Sequence, residues 1–158
     1  MNPTISCNAL AGITTPQTLK IAGQIKKKKE IGLISLVSIL NFIHCKIAKE
    51  LNLFLYPALE CQVIVSNGGT IHFSRRFHNI KLTMGEYVLN SPMVSIPIGG
   101  VDVVLGLQCL QSLGTVAFNF QEFFLKKISE EKEVELRGIE GKPRRIISSN
   151  VIDRKSVV

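Results

Sequence analysis

Acid chemistry has few places to happen in this chain. Ten of its twelve acidic residues are glutamates, and the only aspartates are Asp102 and Asp153. A mechanism that needs an aspartate in a particular motif must recruit one of those two. The four cysteines, Cys7, Cys45, Cys61 and Cys109, are scattered without a C-x-x-C pair. That spacing speaks against a zinc cage or a thioredoxin-type site. They are expected to behave as small core residues in a reducing compartment. His72 and His78 flank Arg75-Arg76 without further ligands in range, so no metal is expected. Ser35 and Ser38 lie near His44, but no G-x-S-x-G elbow surrounds either serine, and both are read as structural. Gly99-Gly100 and Gly106 are not followed by G-K-[ST], which makes them turn and strand-end glycines rather than a phosphate cradle. No cofactor is implied.

The chain has 158 residues, 46% of them hydrophobic and 20% charged, enough for one domain with a substantial core. Global disorder is excluded by that apolar content. The formal net charge of +7 suits polyanion binding and ordinary solubility alike. The longest apolar run, Ile31 to Ile43, contains Ser35, Ser38 and Asn41 and falls short of the about 20 residues a spanning helix needs. A soluble, intracellular protein without a membrane partner is expected.

Residues 1–16 are rich in Thr, Ser, Asn and Gly and read as a lead-in segment. Leu19, Ile21 and Ile25 alternate around Gly23 as a kinked strand, Lys26–Lys29 form a solvated turn, and Ile31–Val37 forms a second, buried strand. Asn41 reads as the N-cap of a helix carrying Ile43, Ile47 and Leu51 on one face and ending near Asn52. Strands are expected over Cys61–Val65 and Ile71–Phe77 around an Asn67-Gly68-Gly69 turn, and over Asn79–Met84 and Tyr87–Val94 around Gly85-Glu86. A Pro97–Gly100 turn leads to a buried strand, Asp102–Gly106, and then to a short helix, Leu107–Leu113, closed by Gly114. Strands near Val116–Phe120, Phe123–Ile128 and Val134–Ile139 follow, and residues 141–158 form a basic tail with Arg144-Arg145 and Arg154-Lys155. Many short strands with two short helices indicate a mainly β barrel or sandwich over residues 17–140.

Several of these segments carry recognisable words. Gly100-Val101-Asp102-Val103-Val104-Leu105-Gly106-Leu107-Gln108, with Leu110 and Leu113-Gly114 behind it, resembles a stretch of the retropepsin-like protease domain of plant gypsy-type long-terminal-repeat retrotransposon polyproteins. Ala9-Leu10-Ala11-Gly12, Pro16-Gln17-Thr18-Leu19, Asn41-Phe42-Ile43, Val63–Thr70 and Glu133–Ile139 are similar to further words of that domain in the same order. The resemblance spans roughly residues 5 to 149.

It implies a closed β-barrel that supplies one aspartate to a two-subunit aspartic endopeptidase. Two carboxylates about 3 Å apart cannot both ionise, so they share a proton and activate a water between them. The family motif is Asp-[Ser/Thr]-Gly at the end of a buried strand. Counting back from Asn41, its three positions hold Ser35, Leu36 and Val37. An alcohol replaces the acid and can neither share the dyad proton nor act as a base near neutral pH. Val37 also puts a branched side chain where the family has glycine. Asp102 and Asp153 both lack the hydroxyl-glycine context; the resemblance implies that Asp102 belongs to the strand that supports the active-site loop. Cys109 stands where the family usually has Trp.

The resemblance further implies that Asn67, Gly68, Gly69 and Thr70 form the tip of a flap over an extended peptide. The expectation is therefore a retrotransposon-derived aspartic-protease-like domain without catalytic residues, its altered window produced by a compensated frameshift or by decay. One alternative is an active aspartic endopeptidase that processes a retroelement polyprotein, should the altered window misrepresent the protein. Another is a non-catalytic module that forms a homodimer or holds a peptide in the cleft. Nucleic-acid association through the basic excess is the reading the residues favour least, since no aromatics interleave the basic pairs.

Overall fold

The computed structural model describes residues 3–15, 18–53, 58–119, 121–122, 124–128 and 134–139. Eleven strands and three short helices are found among them. They are β1 (Thr4–Ile5), α1 (Cys7–Leu10), β2 (Thr18–Ile25), β3 (Lys28–Ser35), β4 (Phe42–His44), α2 (Cys45–Glu50), β5 (Ala58–Val65), β6 (Thr70–Met84), β7 (Tyr87–Ile96), β8 (Val103–Leu105), α3 (Leu107–Leu113), β9 (Val116–Asn119), β10 (Phe124–Lys127) and β11 (Val134–Arg137).

The main sheet runs β1-β5-β6-β2-β3-β8-β4-β7, and β7 returns to pair with β6. The strands from β6 round to β7 therefore close a six-stranded barrel, with β5 and β1 continuing outward from β6. Closure pairs β7 on both sides and leaves the outward extension, β5 and β1, as the open part of the sheet. A separate antiparallel sheet, β11-β10-β9, packs below it through Leu125 and Leu136.

Side-chain alternation explains why the central strands are apolar throughout. Ile34, Ile43, Val103 and Leu105 face one hydrophobic cluster, while Leu33, Phe42 and Val104 face a second. Strands buried on both faces cannot alternate with polar residues. The mainly β barrel expected from the sequence is thus present, as are α3 with its Gly114 end and the β6–β7 hairpin, whose register brings Met84 against Tyr87.

Four local expectations change. The helix expected from Asn41 begins only at Cys45, capped by His44, whose Nδ1 accepts from the Lys46 amide at 3.0 Å. Phe42–His44 form a strand instead because both neighbours, β7 and β8, offer them backbone partners. The expected strand Ile31–Val37 ends at Ser35, and its lysine-rich start belongs to the ladder: only Lys26 and Lys27 form the turn. The two strands expected over Ile71–Phe77 and Asn79–Met84 are one, β6, with a register shift between Phe77 and Ile80.

The third helix is the fourth change. The stretch read as a lead-in carries β1, parallel to β5, and α1, capped by Ser6, whose Oγ accepts from the Ala9 amide at 3.1 Å. Behind α1, Gly12 lies so close to the Pro97–Gly100 turn that a Cβ there would sit 1.9 Å from the Gly99 carbonyl oxygen. Residues 141–158, including Asp153 and both basic pairs, lie outside the described residues, as do Phe120, Phe123 and Glu133.

Candidate active-site cleft

β3 and β8 run parallel, with Ile34 paired to Leu105, so Ser35 and Gly106 leave the sheet side by side. The chain from Ser35 to Asn41 then loops back into β4. Ser35 and Ser38 are fully buried, and the Ser38 hydroxyl donates to that of Ser35 over a long 3.4 Å. Val37 and Ile39 point outward, 52% and 53% exposed. The loop thus turns its alcohols inward and Val37 and Ile39 to water, while Leu40 packs against the second core cluster.

What holds this loop is backbone. The Leu107 amide donates to the Ser38 carbonyl at 2.7 Å, and the Gln108 amide to that of Ile39 at 2.8 Å. The start of α3 therefore spends its otherwise unpaired N–H groups on the loop. Asn41 ties the same region from beneath. Its Oδ1 accepts from the Gly106 amide at 2.9 Å, and its Nδ2 donates to the Ser91 hydroxyl at 2.7 Å. All three side-chain and backbone groups are paired in a buried setting, where an unpaired one would be costly. Gly106 must be glycine: an added Cβ would lie 2.5 Å from the Ser38 oxygen and 2.6 Å from that of Leu40.

Asp102 sits elsewhere. Its Oδ2 accepts from the Ile31 amide at 2.7 Å, its own amide donates to the Ile31 carbonyl at 2.8 Å, and its carbonyl accepts from the His44 amide at 2.8 Å. The carboxylate takes the place of a strand partner and binds β3 to the start of β8, while the Asp102 backbone carbonyl holds the end of β4. Ile31 precedes Ser35 by four residues, roughly 13 Å along an extended strand. Asp102 is a scaffold residue.

One acid escaped the sequence reading. Glu30, next to Ile31, is only 3% exposed, and its Oε2 has no hydrogen-bond partner. Burial first, and then the negative charge of Asp102, hold its carboxyl above the ordinary range. A glutamate directly after four lysines reads as solvated, so the sequence carried no signal of this burial.

Asn67–Thr70 form the exposed tip of the β5–β6 hairpin, where Asn67 Oδ1 accepts from the Gly69 amide at 2.8 Å. Just before the tip, Ser66 leans on the N-terminal segment. Its amide donates to the Ile5 carbonyl and its Oγ accepts from the Cys7 amide, both at 3.0 Å. Ser35-Leu36-Val37 and Asn67–Thr70 therefore stand on separate supports, the first on α3 and β8, the second on β1 and α1. Cys109, on the buried face of α3, is fully buried, and desolvation pushes its thiol up to about 12. No group of three or more metal-ligating side chains occurs among the described residues. None of the described helices is long and apolar enough to cross a membrane.

A closed six-stranded barrel with this strand order, its hairpin and its helix after β8 is a retropepsin-like fold. The retroviral protease-like domain of Ddi1 from Leishmania major matches it with a TM-score of 0.57, over 83% of this chain and 98% of that chain, at 10% identity. A retropepsin-like aspartic protease from Rickettsia conorii matches 65% of this chain and 76% of that chain at 11% identity, with a TM-score of 0.49. No family model and no curated protein matches the sequence. The likeness to the Leishmania domain is one of fold.

Proposed function

We propose that this chain is a retrotransposon-derived retropepsin-like domain without proteolytic activity, kept as a module that pairs with a second copy and holds extended peptide. The observation that carries the proposal is the exit of β3: a buried Ser35 bonded to Ser38 where a proton-sharing carboxylate would be required. An alcohol does not ionise in the carboxylate range, so it cannot activate water by the dyad route. Asp102 cannot serve instead, because its carboxylate is committed to the Ile31 amide. The sequence resemblance supports the retroelement origin, and the pairing reading draws on the exposed Val37 and Ile39. Two β-branched apolar side chains on one loop are poorly placed in water, and a two-fold contact with their counterparts would cover both.

The test is restoration. The parent chain should leave unstructured peptides intact at acid pH. Ser35→Asp with Leu36→Ser and Val37→Gly should create cleavage that pepstatin inhibits, whereas Ser35→Asp alone should not. Pepstatin-sensitive cleavage by the parent would overturn the inactive reading. For the module, sedimentation should show a dimer that Val37→Lys converts to a monomer; a monomeric parent would overturn the pairing.

A further inference from the structure

At the end of β3 remote from Ser35, the β2–β3 turn is built from residues ill suited to its geometry. Lys26 and Lys27 adopt φ of 50° and 68°, so both lie in the left-handed region. Two such residues in succession make a hairpin turn of the kind that favours Asn-Gly. Strain of this sort in a two-residue turn is more often kept where the side chains have a task.

The turn borders a cavity of about 590 Å3. Its apolar lining comes from Ile25, Leu53, Phe77 and Ile80, all of them buried. The register of β6 against β7 slips by one residue between Phe77 and Ile80, and the two residues at the slip, His78 and Asn79, line the cavity. Bulges of this kind re-aim side chains and recur beside functional sites. The titratable groups of the lining are Lys26, Lys27, His78 and Lys81; no acidic side chain is among the described residues that line it. The Lys26 ammonium also donates to the Leu51 carbonyl at 2.9 Å, two residues before Leu53.

A buried apolar floor under a cationic rim selects a ligand with the same two halves. The volume falls within the range of small-molecule sites, which combine an apolar lining with a few polar groups that orient the ligand. We propose that this cavity binds an amphiphilic anion, its hydrocarbon body on Ile25, Leu53, Phe77 and Ile80 and its carboxylate at Lys26 and Lys27. The lysines remain in a turn that would fold better without them because they supply that charge.

Titration calorimetry on the full chain with dodecanoate, dodecanol and dodecyltrimethylammonium, all below their micellar concentrations, tests the site. Dodecanoate should bind saturably with one site per chain and at least tenfold more tightly than the alcohol, and the cation should not bind. Lys26→Asn with Lys27→Gly should raise the thermal midpoint, by relieving the turn, and weaken dodecanoate to the level of the alcohol. Lys81→Gln, a change at an exposed position, should weaken dodecanoate severalfold with no change in the midpoint. The proposal fails if dodecanoate does not saturate, if the alcohol binds equally well, or if the double variant binds as the parent does. It fails too if the double variant is less stable than the parent, since the lysines would then be suited to the turn.

Discussion

β3 and β8 lie side by side in the barrel, both buried on two faces, and both release a loop at the same rim. Their exits are built on opposite terms. After β8, Gly106 is hemmed in by the carbonyls of Ser38 and Leu40, and its amide is taken by Asn41. After β3, the chain holds a pair of buried alcohols and presents Val37 and Ile39 to water. The first exit is fixed by backbone contacts that tolerate no extra atom. The second is fixed by hydrogen bonds to carbonyls that any residue provides, so its side chains can differ without disturbing the barrel. Geometry here belongs to the backbone and chemistry to the side chains, and the two can part company.

The sharpest way to break this comparison is at the crowded exit. Gly106→Val should lower stability by about 3 kcal/mol or more, because neither carbonyl can move without shifting the loop or α3. For a chain of this length that is roughly 6–12 °C in the thermal midpoint. A midpoint unchanged by the valine would mean that the exits do not differ as described. Asn41→Ala comes next, at about 2 kcal/mol, because it strands the Gly106 amide in the interior and takes from the Ser91 hydroxyl the donor it accepts from, leaving that hydroxyl its bond to the Pro92 carbonyl. Chemical denaturation should detect it as a lower midpoint with an unaltered slope.

The smallest effect concerns the far end of β3. Glu30 keeps its proton to higher pH in the folded chain than in the unfolded one. Between the ordinary carboxylate range and that raised value, the folded state binds more protons, so stability falls as pH rises through the window. Glu30→Gln removes the ionisation and should flatten this part of the profile. Thermal midpoints measured from about pH 4 to 8 should decline less for the variant than for the parent. Parallel profiles would show that Glu30 ionises normally.

The barrel was legible because its strands obey a period of two, or are apolar throughout where both faces are covered. The Leu107–Leu113 helix and its Gly114 end could be read from local residues alone. Asn41 was misread for a physical reason: its type suits a helix cap, yet its amide is spent on Gly106 and Ser91, partners 65 and 50 residues away. Such long-range hydrogen bonds leave no mark on neighbouring sequence. Helix α1 is four residues long and too short for periodicity, although its Ser6 cap follows the ordinary rule. At the candidate site, the positions of Ser35, Leu36 and Val37 came from counting within a resemblance. The inward turn of Ser35 and the outward turn of Val37 are set by backbone bonds from α3, which lies about 70 residues further along the chain.

The thiol of Cys109 carries a practical consequence. Only a thiolate attacks a modifying reagent, and a group raised to about 12 and sealed on the inner face of α3 stays inert while the domain is closed. Cys7, by contrast, is exposed on α1. Alkylation of these two thiols therefore runs on two clocks: Cys7 records the time in solution, and Cys109 is marked only when α3 lifts away from the barrel. The barrel carries its own gauge of how often it opens.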